Sequence, residues 1–141
     1  MRYFIKNGLL RMFRKGSGIP RKGFKLVGNE IKYIDNFIYY YDRLNLIDRK
    51  KIDLMRPKYS LYRCWYYCKV WYYTRENVGF NKKNECIDHI LPISRGFKNN
   101  INPESIGSIE NIQYLTHKAN LNKGTKLTEK GKELLHIFTT Q

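Results

Sequence analysis

From Glu30 to Met55 the apolar side chains fall at Ile31, Ile34, Phe37, Ile38, Tyr41, Leu44, Ile47, Ile52 and Met55, with charged residues between them. This approximates the three-and-four spacing of an amphipathic helix and predicts one or two helices. Pro57 interrupts the pattern, and Ser60 is placed to cap a following helix through Tyr73. That segment, Leu61 to Tyr73, is aromatic on nearly every side, which predicts a helix buried in the core or covered by a partner. A strand is the rival, because aromatic residues favour sheets. Its rings either build the interior or stack on bases. A small basic protein needs large side chains for its core, which favours packing. Near the end, Thr128 heads a run from Glu129 to Phe138 in which Leu134, Leu135, Ile137 and Phe138 form one apolar stripe, the mark of a capped terminal helix. Gly131 weakens its first turn.

The pattern changes between these helices. Residues 85 to 93, Glu-Cys-Ile-Asp-His-Ile-Leu-Pro-Ile, begin as a strand in which an acid and a histidine stand side by side, and a loop through Ser94, Arg95, Gly96, Phe97, Lys98, Asn99 and Asn100 follows. Ile109 to Thr116 predicts a second short strand, and His117 to Gly124 the start of a helix. The order is strand, loop, strand, helix, and two polar residues in an apolar strand require a chemical reason.

Charge then changes the picture. The 141 residues carry 27 Lys and Arg against 12 Asp and Glu, a formal net charge of +15, while 42% of the chain is hydrophobic and 15% aromatic. A folded basic domain is implied rather than a disordered polycation, and a phosphate backbone is the expected partner, bound by salt-dependent counterion release. The first 29 residues contain no acid, and Arg2, Lys6, Arg11, Arg14, Lys15, Arg21, Lys22 and Lys25 alternate with five glycines. We expect a flexible basic arm, retained in the mature chain although its composition also suits a mitochondrial presequence. Three cysteines, Cys64, Cys68 and Cys86, are too few for a secreted disulfide framework and point to a reducing compartment. No apolar run approaches the roughly 20 residues of a membrane span. Richness in Lys, Asn, Ile and Tyr hints at AT-rich coding, as in a phage, an organelle or an AT-rich bacterium.

Asp88-His89-Ile90-x-Pro92, a loop, then Asn111-x-Gln113-x-Leu115 and Asn120-x-x-Lys123-Gly124 resemble the HNH, or ββα-metal, nuclease signature over about residues 85 to 126. The nine-residue step from Asn111 to Asn120 is similar to that in the HNH domain of CRISPR RNA-guided effector nucleases, which also ends in asparagine. The resemblance implies an α+β fold: a small ββα-metal motif packed on N-terminal helices. Residues 1–28 would be the basic arm, 29–76 a helical aromatic-rich region and 77–141 the HNH domain with its C-terminal helix. It implies Asp88 and Asn120 as ligands of one Mg2+ (or Mn2+), His89 as general base on the attacking water, and Asn111 as the residue that holds the loop and orients the histidine.

The residue types suit that chemistry. Phosphodiester hydrolysis needs a water made nucleophilic, and a hard cation stabilises the expanding phosphorus and the leaving alkoxide. Magnesium keeps several waters, so one carboxylate and one amide oxygen suffice from the protein. An imidazole with a reference pKa near ~6.5 accepts a proton at neutral pH. Arg95, Lys98 and Lys123, together with Arg11, Arg14, Lys15, Arg21 and Lys22 of the arm, are candidates for contacts to the nucleic-acid backbone. His117, three residues before Asn120 on the same helical face, is the runner-up ligand. The CxxC pairs that carry a structural zinc in many HNH domains are absent, since Thr116 and Ala119 stand at the second pair, so no zinc is expected and the cysteines are read as packing residues. The implied function is an intracellular endonuclease, phage-encoded, bacterial or organellar, with DNA the favoured substrate and RNA left open. Cutting both strands would require a homodimer or two successive events. The alternative is a nuclease-derived RNA-binding component of a large ribonucleoprotein, such as an organellar ribosome.

Overall fold

A computed structural model describes the backbone of residues 3–6, 9–12, 24–27 and 30–33, and residues 37–124 and 126–140 with their side chains. The fold is α+β, and its described strands form three two-stranded antiparallel sheets. The chain divides into two compact units, Met1–Cys68 and Lys69–Gln141. The division falls inside a helix, whereas the sequence suggested a boundary at 76/77.

In the first unit, β1 (Tyr3–Lys6) pairs with β2 (Leu9–Met12), and β3 (Phe24–Val27) with β4 (Glu30–Tyr33). The basic arm, expected to be flexible, therefore holds hairpins where it is described. Short apolar stretches such as Tyr3-Phe4-Ile5 and Leu9-Leu10 supply the strands, a signal masked by the glycines between them. The helical pattern expected from Glu30 begins later, because Glu30–Tyr33 is strand. Two helices follow, α1 (Phe37–Arg43) and α2 (Leu46–Met55). The Asn45 side chain caps α2 by accepting from the Asp48 amide at 2.8 Å. Buried Tyr40, Leu44 and Ile52 form the inward face of the pair.

The aromatic segment is helix, α3 (Leu61–Val78), and the strand alternative falls away. Ser60 caps it as expected, its hydroxyl accepting from the Arg63 amide at 3.2 Å. The helix runs on to Val78, five residues past the expected end. Cys64, Trp65, Tyr66 and Cys68 are buried in its first half, Val70 and Thr74 in its second.

The second unit continues with β5 (Glu85–His89), α4 (Ile93–Lys98), α5 (Pro103–Ile106), β6 (Ile112–Thr116), α6 (His117–Lys123) and α7 (Glu129–Thr139). β5 and β6 run antiparallel with Ile87 opposite Tyr114, Asp88 opposite Gln113 and His89 opposite Ile112. The connection between them is not a bare loop. Asn102 caps α5 through the Glu104 amide at 2.9 Å, Pro103 stands in its first turn, and a 3-10 turn at Ile109–Asn111 leads into β6. The Thr116 hydroxyl ends β6 and caps α6 in one step, accepting from the Ala119 amide at 3.2 Å. Thr128 caps α7 through the Gly131 amide at 3.1 Å. Among the described residues no helix is long and apolar enough to cross a membrane.

Gly107 docks the connection against α3. A Cβ there would lie 2.7 Å from the Val70 carbonyl oxygen and 2.8 Å from the Tyr73 Cβ, so only glycine permits the approach. The Asn77 side chain fastens it by donating to the Gly107 carbonyl at 2.9 Å.

Candidate functional site

Asp88 and His89 close β5, and successive strand residues face opposite sides. Both are buried, at 7% and 6% exposure, so each needs polar partners. Each finds them on its own side.

Asp88 meets β6 and α6. The Gln113 amide, directly across the ladder, donates to Oδ2 at 2.9 Å. The Lys123 ammonium donates to Oδ1 at 3.2 Å, lies 3.1 Å from Oδ2, and also donates to the His89 carbonyl at 3.1 Å. The last turn of α6 thus delivers a cation to the end of β5. An ammonium and a carboxylate buried together favour each other strongly, because little water screens them.

His89 meets α3. Its Nε2 lies 2.8 Å from the Thr74 hydroxyl, and Trp71, one turn earlier, packs against the ring edge to face with centroids 5.0 Å apart and planes at 81°. The Arg75 guanidinium lies 5.2 Å from the centre of the Trp71 ring. Trp71 and Thr74 share one face of the helix at i, i+3 spacing.

Asn111 is fully buried and ties the strand exit to the connection. Its Oδ1 accepts from the Leu91 amide at 2.7 Å, and its Nδ2 donates to the carbonyls of Leu91 at 3.0 Å and Ile106 at 2.8 Å. Its own carbonyl accepts from the Ile90 amide at 2.8 Å. A single amide thus saturates three buried backbone groups, which fixes the turn after His89.

The other expected residues are spread more widely. Asn120 sits in the middle of α6, half-buried, and its side chain makes no hydrogen bond among the described residues. His117 is exposed at the first turn of the same helix. Arg95 and Lys98 are exposed on α4. Arg11 lies on β2, while Arg14, Lys15, Arg21 and Lys22 lie outside the described residues. The structure brings Asp88, His89, Asn111 and Lys123 together and adds three residues the sequence did not single out for the site, Thr74, Trp71 and Gln113. Gln113 was within reach of sequence reasoning, since pairing of the two expected strands sets it opposite the acid. Thr74 and Trp71 were not, because 15 residues separate Thr74 from His89 and no local pattern announces the contact.

Cys64 and Cys68 are buried and Cys86 is half-buried, all as free thiols. Burial raises the Cys64 thiol and pushes that of Cys68 up to about 12. Among the described residues no three His, Cys, Asp or Glu side chains converge. Compared with protein-family models, curated proteins and solved structures, the chain gives no match.

Proposed function

We propose that this chain is an HNH-type endonuclease that hydrolyses DNA phosphodiesters with one divalent metal ion. The observation that carries the reading is the buried acid and histidine at the end of β5, partnered on opposite faces within a strand, connection, strand, helix arrangement. A structural role alone gives no reason to bury both groups at adjacent positions, where each requires its own set of partners.

The donor set suits a hard cation. Asp88 already draws a positive charge, the Lys123 ammonium, to both carboxylate oxygens, and Asn120 offers an amide oxygen from the helix that follows. These two residues would hold the ion, which supplies charge stabilisation at phosphorus and at the leaving oxygen. His89 takes the proton of the attacking water. Asn111 keeps the turn beyond it rigid, so the imidazole and the carboxylate hold their spacing. Lys123 places positive charge beside the acid for the phosphate, while Arg95 and Lys98 on α4 are exposed for backbone contacts. Net charge of +15 supports a polyanionic substrate.

Purified protein incubated with supercoiled plasmid and Mg2+ is expected to nick it, and His89→Ala to lower the rate by roughly 10²–10⁴-fold. Absence of metal-dependent nicking by the unaltered chain would sink the reading. A second reading, an RNA-binding component of a large ribonucleoprotein that no longer cleaves, draws on the saturation of Asp88 by Lys123 and Gln113. Co-sedimentation with ribosomal particles at moderate salt, without nicking activity, would favour it.

A further inference from the structure

The Thr74 hydroxyl makes two close contacts, 2.7 Å to the Val70 carbonyl oxygen and 2.8 Å to His89 Nε2. A hydroxyl has one hydrogen to give. Two oxygens 2.7 Å apart repel unless a proton lies between them, and a carbonyl has none. The Thr74 hydrogen is therefore committed to Val70, the usual back-bond of a helical threonine. Only its lone pairs face the imidazole, so Nε2 must be the donor of that contact.

We propose that Thr74 is a positioning residue that locks His89 in the Nε2–H tautomer, leaving Nδ1 as the nitrogen that takes the proton in catalysis. This rests on the nuclease reading for its catalytic half alone. In the opposite tautomer the Nε2 lone pair would face the lone pairs of the Thr74 hydroxyl on α3. Trp71 packs edge to face against the same ring and adds to the hold on its orientation. In the step itself the water oxygen bonds to phosphorus, its proton goes to Nδ1, and the bond from phosphorus to the leaving sugar oxygen breaks. That oxygen takes a proton from solvent. The Nε2–H to Thr74 bond is unchanged throughout, so the hold on the ring persists when it becomes a cation. Gly107 belongs to the device, because its close approach seats the connection on the turn of α3 that carries Val70 and Thr74.

The test is long-range ¹H–¹⁵N correlation on protein labelled at histidine, where three histidines allow assignment by single substitution. At a pH where the ring is neutral, His89 is expected to show the Nε2–H pattern in the unaltered chain and in Thr74→Ser. Thr74→Val, nearly isosteric, is expected to show a tautomer mixture and to nick at least about tenfold more slowly, while Thr74→Ser stays within about threefold. An Nδ1–H pattern in the unaltered chain overturns the proposal. So does a Thr74→Val chain that keeps both tautomer and rate. If Thr74→Val fails to fold, Thr74→Ala and Thr74→Ser carry the comparison. A chain that shows the expected tautomer shift but never nicks overturns the base role and the nuclease reading, while the tautomer assignment stands.

Discussion

The two halves of α3 bury side chains to different ends. In the first half Cys64, Trp65, Tyr66 and Cys68 are interior, and burial raises the Cys64 and Cys68 thiols and the Tyr66 phenol above their ordinary values. In the second half Val70, Trp71 and Thr74 meet a connection and a strand end that are held by directed hydrogen bonds. Desolvation alone silences a titratable group. Desolvation with bonds of fixed direction leaves it in one defined state.

That contrast predicts unequal sensitivity. Asn111→Ala strands the Leu91 amide and the carbonyls of Leu91 and Ile106, at a cost of about 3–5 kcal/mol in urea unfolding. Cys64→Ala, in the first half of α3, is expected to cost only about 1–2 kcal/mol. Equal losses from the two would erase the distinction. Gly107→Ala drives a methyl into backbone that has no room to yield, and is expected to lower stability by about 1–3 kcal/mol and slow nicking as Thr74 is displaced.

A pH series sharpens the other side of the comparison. Folded and unfolded chains both keep the Cys68 proton below about pH 9. Above it the unfolded chain releases the proton first, so stability falls as pH rises and levels off near the folded value of about 12. Urea midpoints from pH 8 to 11 are expected to decline less steeply in Cys68→Ala. At pH 8, alkylation of the folded chain should reach Cys86 and spare Cys64 and Cys68, as mass spectrometry of the labelled peptides would show. The smallest effect is expected outside both regions: Thr128→Ala removes the α7 cap at about 1 kcal/mol, with nicking unchanged.

Elements whose signals are local were legible in the sequence. Ser60 and Thr128 cap the helices they were expected to cap, and the strand, connection, strand, helix order from Glu85 onward follows the predicted one. The strand ends were less so. Ile109–Asn111 is a 3-10 turn rather than the start of β6, because the Asn111 side chain must turn inward to reach Leu91 and Ile106. The hairpins of the basic arm were obscured by reading glycines as flexibility, when some of them separate paired strands. The hold of α3 on His89 depends on tertiary packing, which periodicity cannot report. The placement of Arg95 and Lys98 on a helix, rather than on an open loop, also emerges only in the folded chain.

The Lys123–Asp88 contact bears on the order of assembly. Many small metal-binding folds cannot form until the ion arrives, since uncompensated ligands repel or remain solvated without it. Here the chain brings its own counterion to the acid from the last turn of α6, and the strand end is electrically balanced from the moment the helix docks. Folding is thereby uncoupled from metal supply. Treatment with a chelator should leave the melting temperature unchanged within about 1 °C, well under the several degrees that losing even ~1 kcal/mol would produce in a domain this small. On the proposed nuclease reading, a cell could synthesise and store such a protein complete in form, with the ion needed only for the reaction.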